Sequence, residues 1–208
     1  GDHRDLHSFP TRRSSDLITA FFPLLCFAQQ EVLGSFFTRL EQNTLQAQFY
    51  LTVSDESNQP MHFNGSITMR GDKFNFQMGD IEVSYDGTTL YHYDEGLDEL
   101  TLSTPTLQEI TESNPLLYAK AISEQCTAQY SAKTDENNYV IELIPNDAAM
   151  GVSIFTITLR KTDLMPLSAV MKENIHSYTT LELKQPMYIS DIPTFTLEKE
   201  DADINDLR

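Results

Sequence analysis

Between Leu45 and Leu102, apolar and polar residues alternate with a period of two, in bursts cut off by turn-forming residues every few positions. Phe49, Leu51 and Val53 fall on one side, as do Phe63, Ile67 and Met69, then Phe74, Phe76 and Met78, then Ile81, Val83 and Tyr85. Successive side chains of a strand point to opposite faces, so this pattern predicts half-buried strands with one apolar and one wet face. The breaks at Asp55–Pro60, Gly71-Asp72, Gly79-Asp80, Asp86-Gly87 and Asp94-Glu-Gly96 carry turn chemistry, and hairpins in succession make an antiparallel meander. Asn64-Gly65 is read as a bulge within a strand, because the alternation from Phe63 resumes at Ile67.

Helical patterns flank and interrupt the meander. From Glu31 to Asn43, the residues Val32, Leu33, Phe36, Phe37 and Leu40 recur at helical spacing, which predicts one amphipathic helix suited to covering an apolar surface. Between Ser103 and Gln125 two short helices are expected, the first opened by a Thr106-x-x-Glu109 capping box and the pair broken at Asn114-Pro115. A second set of strands follows at Cys126–Lys133, Tyr139–Ile144, Val152–Arg160, Leu167–Lys172, Tyr178–Lys184 and Thr194–Glu198. The expectation is a mainly β fold of about eleven or twelve antiparallel strands around two helical interruptions, with no internal repeat and no linker that would divide it.

The 208 residues divide by composition into three parts. Residues 1–17 lack an initiator Met and any period, resemble translated adaptor sequence, and are set aside as a non-native scar; a disordered natural tail is the alternative. Residues 18–28 continue an uncharged apolar run from Leu17, with Cys26 and Ala28 placed like the small residues of a cleavage site, and read as the remnant of an export signal. The run is too short to span a membrane. Residues 29–208 form the expected single domain. Cleavage after Ala28 leaves Cys126 alone, without a disulfide partner and best placed as a packed strand residue.

The charge restricts partners. The three basic residues and three acids among residues 1–28 cancel, so the net charge is −17 with or without them. Such a surface argues against a nucleic-acid partner and against adhesion to an anionic bilayer. His62, His92 and His176 are isolated in sequence, and no zinc spacing, phosphate-binding loop, dinucleotide fingerprint or nucleophile elbow occurs, so neither a catalytic residue, a metal nor a cofactor is expected. The positive signal is apolar: 12 Phe, 9 Tyr and 7 Met with no Trp, gathered on one face of sheet and on the helices that could cap it. By composition alone these residues would serve equally as the core of a closed barrel or as the lining of a cleft.

Three short strings in order, with the helices around them, resemble the LolA family of outer-membrane lipoprotein carriers over residues 30–208. They are Gly65-Ser-Ile-Thr-Met-Arg70, Phe74-Asn-Phe76 and Asp86-Gly-Thr-Thr-Leu-Tyr-His-Tyr93, joined by the Asn114-Pro115 insert and the ending Phe195-Thr-Leu-Glu-Lys with Ile204 to Arg208. The resemblance implies an unclosed half-barrel whose concave apolar face is lidded by helices. It further implies a periplasmic carrier that takes acylated lipoproteins from an inner-membrane ABC-type complex to an outer-membrane acceptor. A monomer is expected, because a carrier that buried its mouth in a second copy could not accept cargo. Phe36, Phe37 and Leu40 of the helix are then expected to face Phe49, Ile67, Met69, Phe74, Phe76, Val83 and Tyr85 across the acyl-chain cleft. Arg70 is the nearest match to the family's lid-latching arginine, although Gly71 follows it where family members carry Pro. The alternative on the same fold is a periplasmic lipid- or glycolipid-binding module, or one that senses envelope stress.

Overall fold

In the computed structural model, residues 22–55, 59–174 and 176–208 are described, residues 22–27 and Glu112 by their backbone alone. Residues 1–17 and the first part of the apolar run, to residue 21, lie outside the described residues.

The alternation folds as its period requires. Six antiparallel strands, β1 (Thr44–Ser54), β2 (Met61–Arg70), β3 (Lys73–Met78), β4 (Ile81–Tyr85), β5 (Leu90–Asp94) and β6 (Glu99–Ser103), pair each with the next. Two helices follow, α2 (Leu107–Glu112) and α3 (Pro115–Ser123). A second meander returns toward β1 through β7 (Cys126–Tyr130), β8 (Asn138–Pro145), β9 (Ile154–Arg160), β10 (Pro166–Lys172) and β11 (Tyr178–Ile189). Because β11 pairs with β1, the two meanders fuse into one twelve-stranded sheet whose ends, β7 and the short β12 (Asp203–Asp206), do not pair with each other. The expected unclosed half-barrel is what forms.

Inward-pointing residues of both halves make one core. Leu45, Ala47, Phe49, Ile67, Met69 and Phe74 join Ile141, Leu143, Phe155, Ile157 and Leu159 in a continuous cluster with the buried stripe of the first helix, α1 (Phe22–Gln42). That stripe, Leu33, Phe36, Phe37 and Leu40, repeats at intervals of three and four, and each side chain so buried stabilises by roughly 1.5–3 kcal/mol. Cys126 is buried on β7, as expected, and burial pushes its thiol pKa up.

Three sequence expectations need correction. Helix α1 is already formed at Phe22, the first described residue, and does not wait for Glu31, so the described part of the apolar run belongs to the same helix. Asn64-Gly65 is no bulge: β2 keeps an unbroken register against β1 and β3 through both residues. Bulges lie instead on β11, where the ladder with β1 slips between Gln46 and Gln48 and Gln185 takes a positive φ of 50°, and on β10, where the ladder with β9 slips between Pro166 and Ser168. Finally, Thr194–Glu198 is extended but joins no ladder. Asn75 Nδ2 donates to the Thr194 carbonyl (2.9 Å) and Ser84 Oγ to that of Phe195 (2.6 Å), which hold the segment across the outer face of the sheet. There Leu197 packs with Leu100 and Leu102. Its alternation is that of a strand lying on a sheet, and the chain enters the sheet later, as β12, parallel to β6.

Candidate functional site

The helical insert is held in place at both of its starts. Thr106 caps α2, its hydroxyl accepting from the Glu109 N–H (3.3 Å) while its own N–H donates to the Glu109 carboxylate (2.7 Å). Asn114, 1% exposed, caps α3 by accepting from the Leu116 N–H (3.0 Å), with Pro115 in the first helical position, where no donor is needed. The caps fix the two helix starts, and the α2–α3 corner lies over the second half of the sheet.

Beneath that corner lies a cavity of about 290 Å³. Thr111, Pro115 and Tyr118 form its roof; Phe155 of β9, Ala169 and Met171 of β10, and Thr179 and Leu181 of β11 form its floor. Tyr118 meets Phe155 at a ring-centroid distance of 6.0 Å. None of these eight side chains is charged, so nothing in the lining would compensate a buried ion, whereas a hydrocarbon chain loses nothing by entering. The volume sits near the lower end of ligand-pocket sizes, about 300 Å³. A depression of about 330 Å³ on the outer side of the insert differs in kind, since Asp72, Lys120 and Glu124 line it with Leu107 and Ile110.

The apolar surface of the cavity floor continues past β11. Leu181 and Thr179 pair with Leu51 and Val53, which pair in turn with Phe63 and Met61. Leu51, Val53 and Phe63 on this concave face are half-buried, and Met61 is exposed. Met78, Ile81 and Val83 extend the same half-exposed apolar strip across β3 and β4. The concave face is thus solid at the α1 end and open at the other.

The residues singled out from sequence come together, most of them in the solid part, with Phe76 and Val83 at its half-buried edge. Phe36, Phe37, Leu40, Phe49, Ile67, Met69, Phe74 and Tyr85 are all under 9% exposed, and Phe76 and Val83 pack against them half-buried. None of the ten lines the cavity. Arg70 ends β2 opposite Lys73, half-buried, and alternation puts it on the face away from Met69. A backbone bond ties this turn to the helix end, the Gly71 N–H donating to the Leu40 carbonyl (2.8 Å). The cavity residues went unselected because the strings shared with the family lie in the first meander. The alternation of Val152–Arg160, Leu167–Lys172 and Tyr178–Lys184, already legible as strands, was the available signal.

Residues 41–193 match the family model described as outer membrane lipoprotein carrier protein LolA. No curated protein matches the chain. Among solved structures, an uncharacterized conserved protein from Thermus thermophilus superposes with a TM-score of 0.59 at 10% identity, covering 86% of this chain and 99% of its own. A LolA superfamily protein from Nitrosomonas europaea gives 0.43 at 10% identity, over 81% of this chain and 97% of its own. LprF from Mycobacterium bovis gives 0.46 at 11% identity, over 82% and 96%.

Proposed function

Because the chain belongs to the LolA family of outer membrane lipoprotein carrier proteins, we propose that it shelters lipoprotein acyl chains beneath the helical insert and carries them across the periplasm to the outer membrane. The observation that supports this most is the uncharged cavity under α2 and α3, continuous with a half-exposed apolar strip on an unclosed sheet. A closed core would have left no such surface.

Transfer of an acyl chain from water into an apolar site gains about 0.8 kcal/mol per methylene. Release into water is therefore prohibitive, and cargo passes only to another apolar site. The inner-membrane ABC-type donor and the outer-membrane acceptor come with the family; a lid-latching role for Arg70 does not form part of the proposal, because its side chain points to the face of β2 away from Met69 and the covering helices. A surface of net charge −17 suits a carrier that must leave an anionic membrane after visiting it. Export with cleavage after Ala28 would cut α1 and leave a chain beginning at Gln29, with the stripe from Leu33 to Leu40 intact.

The test is release of lipoprotein from inner-membrane vesicles that hold the ABC-type complex. Added protein is expected to bring acylated lipoprotein into the soluble fraction as a stoichiometric complex. If lipoprotein stays in the vesicles while the protein extracts only phospholipid, the transport reading is wrong.

A further inference from the structure

Over Gly65 two phenylalanines from strands that are not neighbours meet. β1 carries Phe49 and β3 carries Phe76, with β2 between them, and their rings stack with centroids 4.8 Å apart and planes 13° from parallel. They reach each other because nothing stands on β2 at that point. A Cβ on Gly65 would lie 2.2 Å from Phe49 Cζ and 2.1 Å from the Gln77 carbonyl oxygen, closer than either can approach. The glycine is there for the ring above it.

The register puts this stack at a boundary. Toward α1, the next concave rows are Ala47 with Ile67 and Leu45 with Met69, all between 0% and 4% exposed. Away from α1, the next rows are Leu51 with Phe63 and Val53 with Met61, half-buried to exposed, which lead through Leu181 and Thr179 into the cavity. A hydrocarbon chain passing inward along β1 and β2 meets the two rings where open surface gives way to filled core.

We propose that the Phe49–Phe76 stack over Gly65 is the floor of the acyl-chain site and sets the length of straight chain that it accepts. This rests on the acyl-carrier reading and adds a length limit to it. Each methylene that finds apolar contact raises affinity about fourfold, so affinity climbs with chain length until the chain end reaches the rings and then levels off. Truncating Phe76 opens room toward Ala47 and Ile67, as large-to-small changes do where neighbours cannot collapse.

The experiment titrates the purified protein with lysophosphatidylcholines of graded saturated chain length, whose zwitterionic head removes any effect of the acidic surface. For the unaltered chain, affinity is expected to rise and then level off. In Phe76→Ala the levelling-off moves to longer chains, by several methylenes and at least about tenfold in affinity for the longest probe, while Phe63→Ala lowers affinity at all lengths without moving it. Phe76→Leu, which keeps most of the bulk, is expected to move it less and decides the matter should Phe76→Ala not fold. Saturable binding with an unmoved levelling-off in the folded Phe76 variants overturns the floor and leaves the carrier reading standing. Absence of saturable binding at every length overturns both.

Discussion

Tyr188 illustrates how single residues here act through burial. Its ring lies under the Arg39 guanidinium (5.3 Å to the centroid), and its hydroxyl donates to the Leu164 carbonyl (3.3 Å). Desolvation pushes its pKa up to about 12, against the nearby positive charges of Arg39 and Arg160. A phenol whose folded pKa is raised adds stability that is whole below its ordinary value of 10.0 and is lost as pH rises toward about 12. Alkaline melts should therefore show the stability advantage of the unaltered chain over Tyr188→Phe shrinking between those two values; an advantage constant across that range would contradict the assignment. Residue-scale legibility was uneven. Cys126 could be placed in the core from its type and its strand. Gly65 could not be understood, because an Asn-Gly pair looks like a turn or bulge until the Phe49 ring is seen to lie on it.

At the scale of elements, the insert is the part whose stability bears on function. Asn114 is buried, and its side chain satisfies the first free donor of α3, so Asn114→Ala should cost about 1–2 kcal/mol. Faster amide hydrogen exchange at Leu116 and along α3, with exchange in β1 and β2 unchanged, would locate that loss in the insert; uniform acceleration through the sheet would mean that the cap is a global stabiliser. Both caps of the insert were legible, since capping boxes and Asn-Pro boundaries depend on residues next to one another. The start of α1 was missed because the helix passes without a break from an apolar run into an amphipathic one, and only the second has a helical period. Thr194–Glu198 misled for a related reason: alternation reports that one side is buried, not that a ladder is joined, and here the carbonyls go to Asn75 and Ser84.

For the whole molecule, the sheet explains why the two meanders must be considered together. β11 closes against β1, so the cavity floor on β9 to β11 and the open strip on β1 to β4 are one surface, although they lie far apart in sequence. Strand number, the unclosed sheet and the covering helices were all accessible from periodicity and from the order of short strings. The position of the cavity was not, because which half of a concave face stays unfilled depends on where α1 and α3 settle. On the carrier reading, an acyl chain sits in the uncharged space under the α2–α3 corner. That placement can be checked by irradiating the purified protein with a lipid that carries a photoreactive group on its acyl chain and mapping the modified peptides. Labels on Tyr118, Phe155, Met171 and Leu181, competed away by unlabelled lipid, are the expected result; saturable labelling confined to the outer face of the sheet, with those four residues unmodified, would contradict the account.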